Sequence, residues 1–147
     1  MYTIGETSKK LNISPHTLRY YDREGLFPFV ERTEHGVRIF KESDFERLYL
    51  IKCLKSSCMP LKLVKQFVDW YMEGDSTLQK RRDTFHEQKK VVEEQMQDLQ
   101  KILNLLTYKC WIYDKSVQAG TSLVYKNLKP EDFPDEIRKI KEQLPFT

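Results

Sequence analysis

The spacing of apolar residues divides the chain into several short helices with clear ends and one long helix with a sustained stripe. Thr3-Ile4-Gly5-Glu6 reads as a capping box, in which the Thr3 hydroxyl accepts a backbone N–H and Glu6 reaches back. The helix it opens turns Ile4 and Leu11 inward and stops near Asn12, a residue that tolerates the left-handed conformation. Ser14-Pro15 starts a second helix, an N-cap followed by Pro where its missing N–H is no loss, and Gly25 ends it. Two short helices joined by about three residues have the outline of a helix-turn-helix.

Phe29-Val30-Glu31-Arg32 and Val37-Arg38-Ile39-Phe40 are β-prone stretches flanking Thr33-Glu34-His35-Gly36, a hairpin signal with Gly36 available for a positive φ. Ser43-Asp44-Phe45-Glu46 reads as a further capping box for a helix ending near Ser57. Pro60 opens another helix, with Leu61, Val64, Phe67, Val68 and Tyr71 at helical spacing before Gly74. Ser76-Thr77-Leu78-Gln79 caps the last long one.

That helix carries Phe85, Val92, Met96, Leu99, Leu103, Leu106, Cys110, Tyr113 and Val117, which from Val92 onward keep an unbroken alternation of four- and three-residue steps. This is a coiled-coil seam, and from Ser76 to Gly120 the helix spans roughly 64 Å at 1.5 Å per residue. A stripe of that length needs a partner helix, and the chain has no second long helix to supply one. Homodimerisation is the economical solution. The competing arrangement folds a single amphipathic helix back on its own domain. After Gly120 come the Pro-containing links Lys129-Pro130 and Phe133-Pro134 and a short helix from Asp135 to Leu144. The expected organisation is a head at residues 1–74, a dimerisation helix at 75–120 and a tail at 121–147.

Composition narrows the class. Of 147 residues, 39% are hydrophobic and 32% charged, with five Gly and six Pro, which fits a helix-rich globular protein and not a disordered or collagen-like one. No apolar run approaches the ~20 residues that cross a bilayer, and Met1-Tyr2-Thr3-Ile4 lacks the basic and apolar regions of a signal peptide. Three cysteines do not make a disulfide framework, so a cytosolic protein with reduced thiols is expected. The formal charge of +3 is unevenly placed. Residues 1–65 hold 12 Lys/Arg against 8 Asp/Glu, while residues 66–147 hold 13 against 14. The positive excess lies entirely in the head, as a polyanion-binding surface would require.

The runs Tyr2-Thr3-Ile4-Gly5-Glu6, Ser14-Pro15-His16-Thr17-Leu18-Arg19-Tyr20-Tyr21-Asp22 with Gly25-Leu26, and Gly36-Val37-Arg38-Ile39-Phe40 resemble the MerR family of bacterial transcription regulators. The resemblance covers residues 1 to about 72. It implies a mainly α fold: a winged helix-turn-helix head with a small β-hairpin wing, then a long dimerisation helix forming an antiparallel coiled coil. Such a homodimer would bind a pseudo-palindromic promoter in double-stranded DNA. It would affect RNA polymerase indirectly, by bending and untwisting the operator, at a DNA deformation cost on the order of 1–10 kcal/mol. The protein would be cytoplasmic and bacterial, nucleoid-associated when bound to DNA.

The residues suit that role. Ser14, His16, Thr17 and Arg19 lie near the start of a helix able to enter the major groove, where Arg reads guanine bidentately. Tyr20 and Tyr21 offer hydroxyls to phosphates, or one ring packs against the core. Arg32, His35, Gly36 and Arg38 sit in the hairpin, where a wing would straddle the sugar–phosphate backbone; Arg38 could instead form an ion pair within the head. Lys62 and Lys65 are further phosphate candidates, or are simply solvated.

For the signal, Cys53 in Leu50-Ile51-Lys52-Cys53-Leu54-Lys55 resembles the sensor position of the aldehyde- and thiol-stress-responsive branch of the family (AdhR- or NmlR-like). Lys52 and Lys55 beside the thiol would favour the thiolate, which attacks a small electrophile or is oxidised. Equally, Cys53 could be core packing. Cys58 stands where the family usually has Gly, which puts that turn's geometry in question. Cys110 on the seam reads as core. With no cysteine after Cys110, no soft-metal site is expected, and no cofactor. Alternatives are a small-molecule regulator with a dimer-interface pocket, or a coiled-coil adaptor whose head binds protein; the latter expects both Arg19 and Arg38 to be paired within the fold. No catalytic constellation supports an enzyme: His16, His35 and His86 fall in different elements.

Overall fold

The computed structural model describes residues 1–146 and is built from helices and one small hairpin. Helix α1 covers Ile4–Leu11 and has the expected ends: Thr3 Oγ1 accepts from the Glu6 N–H, Glu6 accepts from the Thr3 N–H at 2.7 Å, and Asn12 closes the helix in the left-handed region at φ 50°. Helix α2 covers Pro15–Arg23, capped by Ser14, whose Oγ accepts from the Thr17 N–H at 3.0 Å. Gly25 follows at φ +75°. Strands β1 (Glu31–Arg32) and β2 (Arg38–Ile39) pair antiparallel, with Glu31 opposite Ile39 and Arg32 opposite Arg38. An isolated bridge ties Tyr2 to Phe40, so the chain start is fastened to the hairpin.

Helix α3 covers Phe45–Ser56 and α4 covers Leu61–Glu73. Leu18, Leu26, Phe27, Phe40, Leu48, Ile51, Leu54, Val64, Phe67 and Val68 form the core beneath α1–α4. Helix α5 covers Leu78–Ala119, 42 residues or about 63 Å. Helix α6 covers Asp135–Glu142, starting where the short C-terminal helix is expected and ending two residues before Leu144. The packing divides into two units, Met1–Val92 and Glu93–Thr147.

Two helix starts differ from the sequence reading. Ser43 does not cap α3. A 3-10 turn over Glu42–Asp44 precedes that helix, and the buried Asp44 carboxylate accepts from the Lys41 N–H at 2.9 Å, one step earlier than a Ser43 cap would lie. Likewise Ser76 and Thr77 do not cap α5. The fully buried Thr77 hydroxyl donates back to the Trp70 and Gly74 carbonyls, at 2.6 and 2.7 Å, and Arg81 donates to both Thr77 Oγ1 and the Gly74 carbonyl at 3.1 Å. In each case a polar side chain satisfies carbonyls or amides of the preceding turn, where unpaired backbone groups are most costly.

In the second unit Ile112, Phe133 and Ile137 form a small core, with Tyr108, Trp111 and Leu128 against it; the Trp111 and Phe133 rings lie 5.0 Å apart. The tail thus packs on one face of α5. The coiled-coil stripe lies on another. Met96, Leu99, Leu103, Leu106, Cys110, Tyr113 and Val117 are all exposed, with Leu99 at 63%, Leu103 and Leu106 at 55% and Val117 at 81%. Among the described residues no helix is long and apolar enough to cross a membrane.

Candidate nucleic-acid interface

Helix α2 is sided. Leu18 is fully buried and Tyr21 half-buried, with the Tyr21 ring set edge-on to Phe27 at 6.3 Å and its phenol pushed above the usual tyrosine value by burial. On the opposite side His16, Arg19 and Tyr20 are exposed, and Arg23 continues the same three- and four-residue spacing. Of the two tyrosines, then, Tyr21 belongs to the core and Tyr20 to the surface. Arg23 went unremarked in the sequence although the periodicity from His16 reaches it. Ser14 and Thr17 are committed to the helix start, their hydroxyls 2.8 Å apart. Among the described residues Arg19 has neither an ion-pair nor a hydrogen-bond partner.

The hairpin turn is closed by Thr33 N–H to Val37 O and Gly36 N–H to Thr33 O, both 2.8 Å, and by the Thr33 hydroxyl accepting from the Val37 N–H at 3.1 Å. Gly36 sits at φ +77°, and a Cβ there would meet nothing within 4 Å, so the backbone angle and not space requires glycine. His35 is exposed at the tip. Both hairpin arginines turn to Asp22 at the end of α2. Its Oδ2 accepts from Arg38 Nε at 2.7 Å, from Arg38 Nη2, and from Arg32 Nη2 at 2.7 Å. Arg32 Nη1 also donates to the Gly36 carbonyl at 3.3 Å. The ion pair left open for Arg38 is therefore present, and Arg32 shares it. The structure brings together Thr3, Ile4, Arg19, His35, Gly36, Val37 and Arg38 around one open groove of about 300 Å³.

The fourth helix divides its lysines. Lys62 is exposed, whereas Lys65 pairs with Asp69 and lays its stem against Gly25.

Cys53 is exposed on α3, which excludes the core-packing alternative within a single chain; Cys58 and Cys110 are exposed too. The lysines expected to polarise Cys53 do not reach it: Lys52 Nζ donates to the Leu11 carbonyl at 2.8 Å and Lys55 Nζ to the Met59 carbonyl at 2.9 Å. Leu11 ends α1, so Lys52 serves an orphan helix-end carbonyl in preference to the thiol. One turn back stands Tyr49, whose phenol is raised above its ordinary value chiefly through its interaction with the Cys53 thiol. Cys58 takes φ +65°, so the turn keeps the glycine-type conformation despite its side chain. Among the described residues no group of three or more His, Cys, Asp or Glu could hold a metal ion.

A helix-turn-helix with an exposed polar face on its second helix, flanked by a β-hairpin wing, defines a winged-helix DNA-binding protein. The MerR HTH family regulatory protein model matches residues 2–69. An uncharacterised HTH-type transcriptional regulator of Haemophilus influenzae is 41% identical over 120 residues, 82% of this chain and 89% of its own length. The crystal structure of HiNmlR, described as a MerR family regulator lacking the sensor domain and bound to promoter DNA, aligns with TM-score 0.77 at 40% identity over 84% of this chain and 98% of that one. The regulator AdhR of Bacillus subtilis is 31% identical over 80 residues, 54% of this chain and 57% of its own. The chain belongs to the MerR family and is a DNA-binding transcription regulator.

Proposed function

We propose that the protein acts as a homodimer, clasped along the α5 seam, that sets two heads on a pseudo-palindromic promoter and controls transcription by distorting the operator. The supporting observation is the unpaired α5 stripe: a row of large apolar side chains, more than half exposed, that the tail of the same chain leaves uncovered. Within each head, His16, Arg19, Tyr20 and Arg23 face the major groove, and Ser14 and Thr17 add short polar groups at its edge. His35, Arg32, Arg38 and the Gly36 backbone sit along the sugar–phosphate backbone, and Lys62 adds a phosphate contact. The adaptor reading required Arg19 and Arg38 both to be paired. Only Arg38 is, which favours DNA. RNA polymerase is affected through the promoter, and the cytoplasm is the compartment such a role implies.

The test is binding of a promoter fragment across a salt series. Arg19→Ala is expected to lose about 1–3 kcal/mol and relax preference at one base pair, whereas Lys62→Ala weakens all sequences alike and lowers the salt slope by about one. Salt-insensitive binding by the wild type would overturn the reading.

We further propose that Cys53 is the signal-receiving group. The exposure of Cys53 supports this; polarisation by lysine does not. An aldehyde would add at Sγ to give a hemithioacetal, the thiol proton passing to the carbonyl oxygen. Promoter transcription in vitro with an aldehyde and oxidant panel, comparing wild type with Cys53→Ala, tests it. Equal responses would remove Cys53 from the account and leave DNA binding standing.

A further inference from the structure

The cluster of Asp22 with Arg32 and Arg38 stands out among the charged groups of the head. The Asp22 side chain is only 8% exposed, and a single oxygen accepts three N–H groups from two arginines that lie 10 and 16 residues further along the chain. The Lys10–Glu42 and Lys41–Glu31 pairs are open to solvent on both sides and hold little, and the Arg47–Asp44 pair, though its carboxylate is buried, joins residues only three apart. The Asp22 cluster differs in joining a buried carboxylate to two arginines of another element. Asp22 sits on α2, one turn after Arg19, while Arg32 and Arg38 face each other across the β1–β2 pair. One carboxylate therefore fastens both strands of the hairpin to the helix proposed to read bases. Arg32 extends the fastening to the turn through the Gly36 carbonyl.

We propose that Asp22 is a positioning residue for DNA recognition, fixing the hairpin and its two arginines in register with α2. This rests on the DNA-binding reading of the same face. Asp22 touches no DNA itself. With Arg38 Nε and Nη2 and Arg32 Nη2 engaged, each guanidinium presents only its remaining N–H groups, in one orientation, to a phosphate. Held this way the arginines contribute to register more than to general attraction. Freed, they become two mobile cations that neutralise phosphates on any sequence.

The test compares wild type with Asp22→Asn on a promoter fragment and on random-sequence DNA of equal length, across a salt series. Each further phosphate neutralised steepens the dependence of log Kobs on log salt by about 0.9, so Asn at this position is expected to steepen the random-DNA slope by about one to two such steps. Preference for promoter over random DNA is expected to fall by about tenfold or more. An unchanged slope with equal weakening on both DNAs would mean a loosened head and would overturn the proposal. So would a preference within about twofold of wild type in a folded variant, since specific binding ordinarily exceeds non-specific by about 10³ or more. A wild type that shows no salt-dependent binding would instead overturn the DNA reading itself.

A second measurement needs no substitution. Arginine Nε–H exchange in the free wild-type protein is expected to be slow for Arg38 and fast for Arg19, and addition of promoter DNA should move the Arg19 signal while leaving the Arg38 Nε–H protected. Equal, fast exchange at both would refute the fastening.

Discussion

Placing a carboxylate on the α5 seam tests the proposed dimer directly. Fully burying a leucine is worth about 1.5–3 kcal/mol, and Leu99 and Leu106 still expose 63% and 55% of their surface in the single chain. The portion left to gain on association is therefore roughly 1–2 kcal/mol for each leucine, or about 2–4 kcal/mol per position once both protomers are counted. Leu99→Asp forfeits that share and also requires an ionised carboxylate to leave water, so its effect exceeds the burial loss alone. Every 1.4 kcal/mol is about tenfold, so the dimer dissociation constant should rise by about a hundredfold or more for Leu99→Asp, and further for the double variant with Leu106→Asp. Sedimentation equilibrium at micromolar concentration measures it. The wild type should sediment at twice the 17.7 kDa chain mass and the double variant near 17.7 kDa. Because both residues are exposed in the single chain, far-ultraviolet circular dichroism should show the helices still present. A wild type that sediments as a monomer refutes the reasoning, and so does a variant as tightly dimeric as its parent.

Three smaller changes probe the head. Cys58→Gly relieves a left-handed residue at φ +65° and is expected to stabilise by about 1 kcal/mol, read as a shift in urea midpoint at constant slope. Thr7 is fully buried and its hydroxyl has no hydrogen-bond partner among the described residues, so Thr7→Val should stabilise by about 1 kcal/mol; a loss would show that the hydroxyl is satisfied in solution. The Glu6 carboxyl is held below its ordinary pKa, first by the Thr3 backbone N–H and then by the Thr3 hydroxyl. A lowered folded-state value stabilises above the ordinary glutamate pKa and is lost as pH falls through the folded one. Glu6→Gln keeps the capping geometry and should flatten the acid side of the stability profile, measured by urea melts at neutral and acid pH.

Much of this was legible because it is local. Thr3 with Glu6, Ser14 with Pro15, Asn12, Gly25 and Gly36 act within three or four residues, and each performs the turn or cap that its chemistry favours. The stripe from Val92 to Val117 is equally local in its period. What escaped depends on tertiary neighbours. Thr7 completes the inward row of Ile4 and Leu11 but is polar, so an apolar pattern passes over it. Asp22 reaches arginines in another element. Lys52 and Lys55 are adjacent to Cys53 in sequence, yet helix geometry turns them toward the backbone carbonyls of Leu11 and Met59. Ser43 and Ser76 look like caps by residue type, but the 3-10 turns put Asp44 and Thr77 in charge of the backbone instead.

The Thr77–Arg81 clasp bears on how such proteins are rebuilt or diversify. With the Thr77 hydroxyl and the Arg81 guanidinium both bound to the Gly74 carbonyl, α5 starts at a set rotation about its own axis. One residue added within the row from Val92 to Val117 turns everything beyond it by about 100° and breaks the row in two, whereas seven return it to nearly the same bearing. Grafts and length variants within that row should therefore be counted in sevens if the proposed association is to survive, even when every substituted residue is itself acceptable.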